Sequence, residues 1–231
     1  MITLIIATRN HHKVAEIRQV LSDSFAYLAL GDFPDAPPVL EDADSFIGNA
    51  SKKATSLARW LAGGGRLGSA AVREPWPAFC LADDSGLEVD ALGGAPGVHS
   101  ARFAATNSRG NSSDQANNEK LLRLMAAESN RTARFRCCIA LTPVLAPETP
   151  PASAVCLAEE AELRTEVFEG TCEGRLERAP RGKAGFGYDP LFVPDGFDQS
   201  FAELGTEVKN RISHRAQALV RVREWFRQRA I

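Results

Sequence analysis

The first residues that could carry chemistry lie near the start of the chain, where Thr8-Arg9-Asn10-His11-His12 interrupts an apolar run. A helix that begins here would offer unpaired N–H groups and about half a positive charge to an anion. Thr8 and Asn10 could hydrogen-bond to phosphate oxygens, and Lys13 would add charge in the first helical turn. The alternative is an ordinary strand-to-helix connection capped by Thr8 or Asn10, because neither GxxxxGK(S/T) nor GxGxxG occurs here.

A second candidate is the pair of adjacent acids in Ala82-Asp83-Asp84-Ser85-Gly86-Leu87. Burying two unpaired carboxylates is costly, and a divalent ion bound between them would remove that penalty. Carboxylate oxygens suit Mg²⁺, and one of the two carboxylates could also deprotonate a water molecule. The alternative is an Asp-Ser-Gly turn with both acids in solvent. A serine hydrolase that uses Ser85 with His214 is disfavoured, because the flanking residues are not GxSxG.

The third candidate is the glycine-rich segment Gly182-Lys183-Ala184-Gly185-Phe186-Gly187-Tyr188-Asp189-Pro190. Its glycines let the backbone approach a ligand closely, and Phe186 and Tyr188 supply flat faces on which a nucleobase could stack. The alternative is a glycine-rich turn that precedes a strand at Leu191-Phe192-Val193.

The fourth candidate is Lys209-Asn210-Arg211-Ile212-Ser213-His214-Arg215, in which Ser213 would cap the last helix. Seven Lys or Arg and only two Glu stand between residues 205 and 229. A solvated basic helix face explains the charges near the end of that helix. It explains Lys209, His214 and Arg215 less well, because they precede or open the helix.

The elements that must position these four segments follow from the hydrophobic pattern. Apolar runs predict strands over residues 2–7, 79–82, 87–92, 134–141, 157–167, 170–176 and 191–193. Apolar residues at helical spacing predict helices over 14–21, 46–61, 117–127 and 213–229, the second of them capped by Asp42, Asp44 or Ser45. Surface loops are expected over 63–77 and 143–151. Strands and helices mix throughout, which predicts an α/β or α+β fold around one core.

The composition, with 44% hydrophobic and 24% charged residues among 231, is typical of a globular protein. The formal net charge of −2 excludes a uniformly basic nucleic-acid-binding protein and gives no reason to expect an anionic membrane as partner. The first apolar run is too short for a signal peptide or a bilayer span, so we expect a cytoplasmic protein. Five cysteines without a CxxC pair predict reduced buried thiols rather than disulfides or a zinc site.

The residue sequences of the four segments, and their order along the chain, resemble those of one family. The matching stretches are, in chain order, ATRNHHK, FIGNASKKA, ADDSGLEVDALGGAPGVHSARFA, GFGYDPLFVP and FAELGTEVKNRISHRAQAL. Over nearly its whole length the chain is similar to the non-canonical purine NTP pyrophosphatases, also called the Ham1-like family. The resemblance implies an elongated mixed sheet with flanking helices, in two lobes around a central cleft. It also implies a single catalytic domain over residues 1–231, without a separate linker, and a homodimer.

The activity that the resemblance implies is Mg²⁺-dependent hydrolysis of ITP, dITP and XTP to the monophosphate and pyrophosphate. Asp84 would bind Mg²⁺ and act as general base for the attacking water. Glu41 would be the second metal-associated carboxylate, with Asp42 as the alternative. The residues implied to bind the phosphates are Thr8, Arg9, Asn10, Lys13, Lys53 and Lys209. The residues implied to bind the rest of the substrate are Ser85, Phe186, Gly187, Tyr188, Asp189, His214 and Arg215.

Base selection in this family pattern is a matter of donors and acceptors. Phe186 would stack on the purine, and His214 and Arg215 would read its edge. Hypoxanthine and xanthine present a carbonyl oxygen at position 6 to the Arg215 donor, whereas adenine presents an amine. That mismatch is worth about a hundredfold or more in selectivity. Guanine shares the 6-oxygen, so rejection of GTP would have to use its 2-amino group.

The chain departs from the family pattern at a few positions. The family has two acids and Thr-Gly ahead of the Phe that matches Phe46, whereas this chain has Leu40-Glu41-Asp42-Ala43-Asp44-Ser45. Gly48 replaces the Glu of the family's Glu-Asn-Ala, and Arg9 replaces the common Gly after Thr8. The altered acid run favours one alternative, a nucleotide-binding sensor that has lost catalysis. A Maf-like pyrophosphatase, whose fold is related, is disfavoured by the Asp-Asp-Ser-Gly and Ser-His-Arg blocks.

Overall fold

A six-stranded mixed sheet lies at the centre of the protein, in the order β2-β1-β3-β4-β5-β6. The computed structural model describes residues 1–63, 78–105, 110–144 and 164–229. The strands are β1 (Thr3–Ile6), β2 (Ala26–Ala29), β3 (Ala78–Val89), β4 (Thr132–Pro143), β5 (Glu166–Leu176) and β6 (Phe192–Pro194). β1 is parallel to β2 and β3, and the other neighbouring pairs are antiparallel. The predicted α/β class is confirmed.

Helices flank this sheet, and their first residues agree with the capping signals of the sequence. They are α1 (His11–Leu21), α2 (Phe46–Ala62), α3 (Asp114–Leu124), α4 (Phe201–Ile212) and α5 (His214–Gln228). Asn10, Ser45 and Ser213 cap α1, α2 and α5, because each side chain accepts a hydrogen bond from an N–H of the first turn. Within the described ranges, no helix is long and apolar enough to cross a bilayer.

The two faces of the sheet are covered by different helices. Phe79 and Leu81 of β3 pack with α1 and α5, whereas Cys80 and Ala82 pack with α2. Successive side chains of a strand point to opposite faces, so this alternation fixes the direction of every later residue of β3. A third apolar cluster joins the far half of β3 to α3, α4 and β6.

The prediction of two short strands around an Asp-Asp-Ser-Gly turn is wrong. β3 runs unbroken for 12 residues, and β4 pairs with it from Phe79 to Val89. The strand does not need to turn outward, because Lys13 and Arg215 neutralise the buried charge of Asp83. The alternative with both acids in solvent is therefore excluded.

Other helix and strand boundaries differ from those that the sequence predicts, and some predicted elements lie outside the described residues. β2 and α4 were not predicted, and Gly205, at φ +76°, breaks the helical backbone inside α4. α3 begins three residues before the predicted start because Ser113 caps it. β5 begins at Glu166; residues 157–163 of the predicted strand 157–167 lie outside the described residues, and residues 164 and 165 are not part of a strand. Most of the predicted loops 63–77 and 143–151 lie there too, as does Cys156; the four described cysteines are buried and free.

Candidate active site

The alternation of β3 divides the Asp-Asp-Ser segment between the two faces of the sheet. Asp83 and Ser85 point toward α1 and α5, where both contact Arg215. Asp84 points toward α2, where its Oδ1 accepts a hydrogen bond from Lys53 Nζ at 3.2 Å. Two adjacent carboxylates therefore have separate surroundings and are suited to separate tasks.

Asp83 is the centre of a buried hydrogen-bond network. Its Oδ2 accepts from Arg215 Nε at 2.9 Å and from the Cys137 thiol at 3.0 Å. Its Oδ1 accepts from Lys13 Nζ and from Ser85 Oγ, the latter at 2.8 Å. Burial opposes the charge, but Arg215 and Lys13 outweigh it and hold the Asp83 pKa well below its usual value. An ionised carboxylate with this many donors is a poor general base.

Glu16 belongs to the same network, and the sequence analysis missed it. This buried side chain of α1 accepts from Lys209 Nζ at 2.9 Å and from Arg215 Nη1. Burial opposes its ionisation, yet Arg215 and Lys209 lower its pKa. The available signal was its spacing, because Glu16 stands three residues after Lys13 and so lies on the same helical face.

On the α2 face, Lys53 joins two carboxylates. Its Nζ donates to Glu41 Oε2 at 2.7 Å, to the Asp83 carbonyl at 2.9 Å and to Asp84 Oδ1 at 3.2 Å. Burial raises the pKa of Asp84, and the charge of Glu41 acts in the same direction against Lys53. Asp42, by contrast, pairs with Lys52 at the surface. Glu41 is thus the acid of this segment that lies beside Asp84.

This face suits Mg²⁺ by one specific observation. Asp84 Oδ2 is buried and has no hydrogen-bond partner among the described residues. A buried carboxylate oxygen without a partner is costly, and a hard cation would satisfy it. The described residues contain no cluster of three or more His, Cys, Asp or Glu arranged for a metal. Mg²⁺ commonly binds through one or two carboxylates and completes its shell with water and phosphate oxygens, so the pair Asp84 and Glu41 fits it.

Two further residues hold Glu41 in place through the backbone. The Asn49 side chain, fully buried in α2, accepts from Ala43 N at 3.0 Å and donates to the Ala43 carbonyl at 3.3 Å. Arg102 Nη2 donates to the Glu41 carbonyl at 3.1 Å. The segment before α2 is therefore anchored at both ends of its acid run.

Two adjoining pockets collect most of the site residues that the sequence singled out, but Asp84 lines neither of them. One, of about 290 Å³, includes Thr8, Arg9, Asn10, Glu41 and Lys53. The other, of about 160 Å³, includes Asn10, Lys13, Ser85, Phe186, Gly187, Tyr188, Asp189, Lys209, His214 and Arg215. Asn10 and Asn111 line both pockets, so the two pockets adjoin near the N-terminus of α1. Lys209, expected at the phosphates, lies in the smaller pocket.

The smaller pocket combines aromatic faces with buried polar groups. The His214 ring stacks on Phe135 with centroids 4.8 Å apart. Burial, together with Arg215 and Lys209, lowers the His214 pKa well below its usual value, so the imidazole is neutral. Its Nδ1 is buried without a hydrogen-bond partner in the described parts of the chain. A neutral imidazole provides one donor and one acceptor, which is suited to reading a polar ring edge.

Lys209 and Phe186 also line this pocket and lie against each other. Lys209 Nζ donates to Asp189 Oδ2 at 2.6 Å and lies 4.4 Å from the centre of the Phe186 ring. The Phe186 ring is nearly parallel to that of His12, with centroids 5.1 Å apart. Tyr188 is buried, and its hydroxyl donates to the Ser100 carbonyl at 2.9 Å. This hydrogen bond helps to hold the segment that carries Phe186.

A family model described as the Ham1 family matches residues 4–225 of the chain. Among curated relatives, the dITP/XTP pyrophosphatase of Opitutus terrae is 46% identical over 202 residues, which cover 87% of this chain and 81% of that protein. The dITP/XTP pyrophosphatase of Desulforamulus reducens is 42% identical over 224 residues, which cover 96% of this chain and 94% of that protein.

The fold of this chain is similar to those of solved Ham1 protein structures. The Staphylococcus aureus Ham1 protein has a TM-score of 0.74 at 30% identity and covers 98% of this chain and 99% of its own. A HAM1 protein from Coxiella burnetii has a TM-score of 0.74 at 33% identity, covering 99% and 100%.

Proposed function

The chain belongs to the Ham1 family, and from that premise we propose that it hydrolyses non-canonical purine nucleoside triphosphates to the monophosphate and pyrophosphate. ITP, dITP and XTP are the proposed substrates, with Mg²⁺ as the proposed cofactor. The homodimer that the resemblance implies and the cytoplasmic location expected from the sequence stay predictions. The Maf-like alternative loses its support, because the Ham1 model matches nearly the whole chain.

One observation carries this proposal above the others. A pocket that contains Glu41 and Lys53 adjoins a pocket with aromatic faces and buried polar side chains, and Asn10 borders both. A nucleoside triphosphate has the matching polarity, with its anionic phosphates at one end and a flat base at the other. Asp84 lines neither pocket but accepts a hydrogen bond from Lys53, and its Oδ2 has no hydrogen-bond partner among the described residues.

Bond cleavage needs a nucleophile and charge neutralisation rather than a covalent enzyme intermediate. Asp84 would accept a proton from the attacking water as the water oxygen bonds to the α phosphorus and the bridging phosphorus–oxygen bond breaks, so that pyrophosphate leaves. Burial raises the Asp84 pKa, which makes it a stronger base than a solvated carboxylate. Lys13 and Lys53 would bind the phosphate oxygens, whereas the His12 and Lys13 N–H groups of the first α1 turn already donate to the Asn10 side chain. Asp84 and Glu41 would hold Mg²⁺, whose contribution when bound is to neutralise phosphate charge.

Base recognition would depend on the buried network around Arg215. Its Nε and Nη2 donate to Asp83, Nη2 also to Ser85, and Nη1 to Glu16. Among the described contacts, these bonds engage four of the five guanidinium N–H groups. The remaining Nη1–H is oriented by the other four and would donate to the 6-oxygen of hypoxanthine or xanthine. The 6-amine of adenine would leave that donor unpaired.

The test is pyrophosphate release from ITP, dITP and XTP, compared with ATP and GTP, each with and without Mg²⁺. We expect kcat/KM to be about a hundredfold or more higher for ITP than for ATP. Equal turnover of ITP and ATP would overturn the selectivity. No turnover of any nucleotide would favour the sensor alternative, and full activity after removal of all divalent ions would overturn the metal assignment.

A further inference from the structure

We propose that Asp114 and Asn118 on α3 are positioning residues that hold the Phe186–Gly187 turn. They thereby hold the aromatic wall, which is the part of the smaller pocket that the Phe186 ring forms. This inference deepens the proposed function and rests on it, because the wall is the surface assigned to the purine base. Neither residue was singled out by the sequence analysis, since both lie in a segment that was expected only as part of a helix or its approach.

The contacts are a matched pair of hydrogen bonds to one residue. Asp114 Oδ2 accepts from Gly187 N at 2.6 Å, and Asn118 Nδ2 donates to the Gly187 carbonyl at 3.0 Å. Positions 114 and 118 are four residues apart on α3 and therefore lie on the same helical face. The helix thus presents an acceptor and a donor to the two polar backbone groups of Gly187, which fixes the plane of its peptide bonds.

Gly187 depends on these bonds because little else packs against it, whereas the Phe186 ring also stacks on His12. Phe186 and Gly187 line both the 160 Å³ pocket and a second pocket of about 410 Å³. A Cβ added at Gly187 would meet no described atom within 4 Å apart from its chain neighbours. Gly187 also has φ +63°, a conformation that only glycine adopts readily. The Gly187 end of the turn is therefore held mainly by its hydrogen bonds.

The position of Gly187 sets the position of the Phe186 ring. Asp189 Oδ2 accepts from Phe186 N at 2.9 Å and also binds Lys209, so the pocket side of the turn is held by a different carboxylate. Asp114, which lines both pockets, and Asn118, which lines only the larger one, supply the second anchor. α3 is itself fixed, because Asn117 Oδ1 accepts from Ala104 N at 2.8 Å and Leu121 is fully buried in the apolar core.

The perturbation is Asp114→Ala, with Asp114→Asn as the conservative variant and Glu119→Ala as the matched control on the same helix. Asparagine keeps an oxygen that can accept from Gly187 N, whereas alanine removes it. We expect KM for ITP to rise about tenfold in Asp114→Ala, with kcat changed less than about twofold, because the bound base must then order the turn. Asp114→Asn and Glu119→Ala should stay near the wild-type KM.

A second measurement follows the tether without any substrate. Hydrogen exchange of the Gly187 amide should accelerate about tenfold or more in Asp114→Ala, and much less in Asp114→Asn. Unchanged exchange in Asp114→Ala would overturn the proposal, as would an equal rise in KM for the alanine and asparagine variants. A fall in kcat without a rise in KM would also overturn it. If the wild-type protein fails to hydrolyse ITP, the proposed function fails, and the exchange data still decide whether α3 holds the turn.

Discussion

Replacing the two adjacent aspartates of β3 one at a time should separate stability from catalysis. Asp83→Asn changes the centre of the buried network on the α1 and α5 face, whereas Asp84→Asn changes the carboxylate whose Oδ2 has no partner in the described residues. Both substitutions are isosteric, both positions are buried, and the two residues are covalent neighbours. Any difference between the variants therefore reflects the surroundings and not the type of substitution.

The expected loss of stability in Asp83→Asn follows from the ion pairs that the Asp83 carboxylate forms with Lys13 and Arg215. The neutral amide leaves Arg215 and Lys13 with less compensating charge in a buried site, and breaking such a pair destabilises by about 3–5 kcal/mol. In a protein of this size each kcal/mol lowers Tm by roughly 2–4 °C, so we expect a drop of about 6–20 °C.

For Asp84→Asn we expect the reverse, which is a small change in stability and a large loss of activity. The amide oxygen still accepts from Lys53, and the charge that burial disfavours is gone, so the free energy of unfolding should change by no more than about 1 kcal/mol. The proposed general base is lost, so kcat for ITP should fall by about 10²–10⁴-fold while ITP still binds.

The assays are thermal unfolding, pyrophosphate release from ITP, and ITP binding by calorimetry. Calcium in place of magnesium would suppress turnover during the binding measurement. Retention of most of the activity in Asp84→Asn would remove Asp84 as the base. A stable Asp83→Asn variant, with Tm within about 2 °C of wild type, would refute the assignment of Asp83 as the structural centre.

Two further outcomes follow from buried groups. Because burial lowers the His214 pKa well below 6.5, the unfolded chain binds a proton below that pH that the folded protein does not. The free energy of unfolding should therefore fall by up to about 1.4 kcal/mol per pH unit as pH drops below about 6.5. Urea unfolding should show a shallower pH dependence in His214→Gln, and parallel curves would contradict the reasoning. In Gly48→Ala, the new Cβ would lie 2.7 Å from Ala43 Cβ, which should destabilise by about 1–3 kcal/mol. Ala43→Gly in the same chain should restore stability, and additive effects in that double-mutant cycle would count against the clash.

The sequence was most informative where a local rule decides the outcome. Asn10, Ser45 and Ser213 were recognisable as helix caps, and the apolar stripe of α2 predicted its length within one residue. The family resemblance identified many of the residues that line the two pockets. Matching a sequence motif requires only the residues and their order, and not the fold. Glu41 was preferred over Asp42, and the structure places it beside Asp84.

The sequence was least informative where distant residues compensate each other. Asp83 reads as a turn residue until Arg215, 132 positions away, is brought against it. Glu16 reads as a solvent-facing helix residue until Lys209 and Arg215 arrive from the opposite end of the chain. Burial of a charge is favourable only with its partners present, and no local pattern records them.

The unbroken run of β3 also bears on how such a protein can diversify. Since neighbouring positions on one strand face opposite sides of the sheet, a substitution beside Arg215 leaves the contacts of Asp84 with Lys53 in place. The reverse holds for substitutions beside Lys53. On the proposed assignment, base preference and reactivity can therefore change separately on one shared strand.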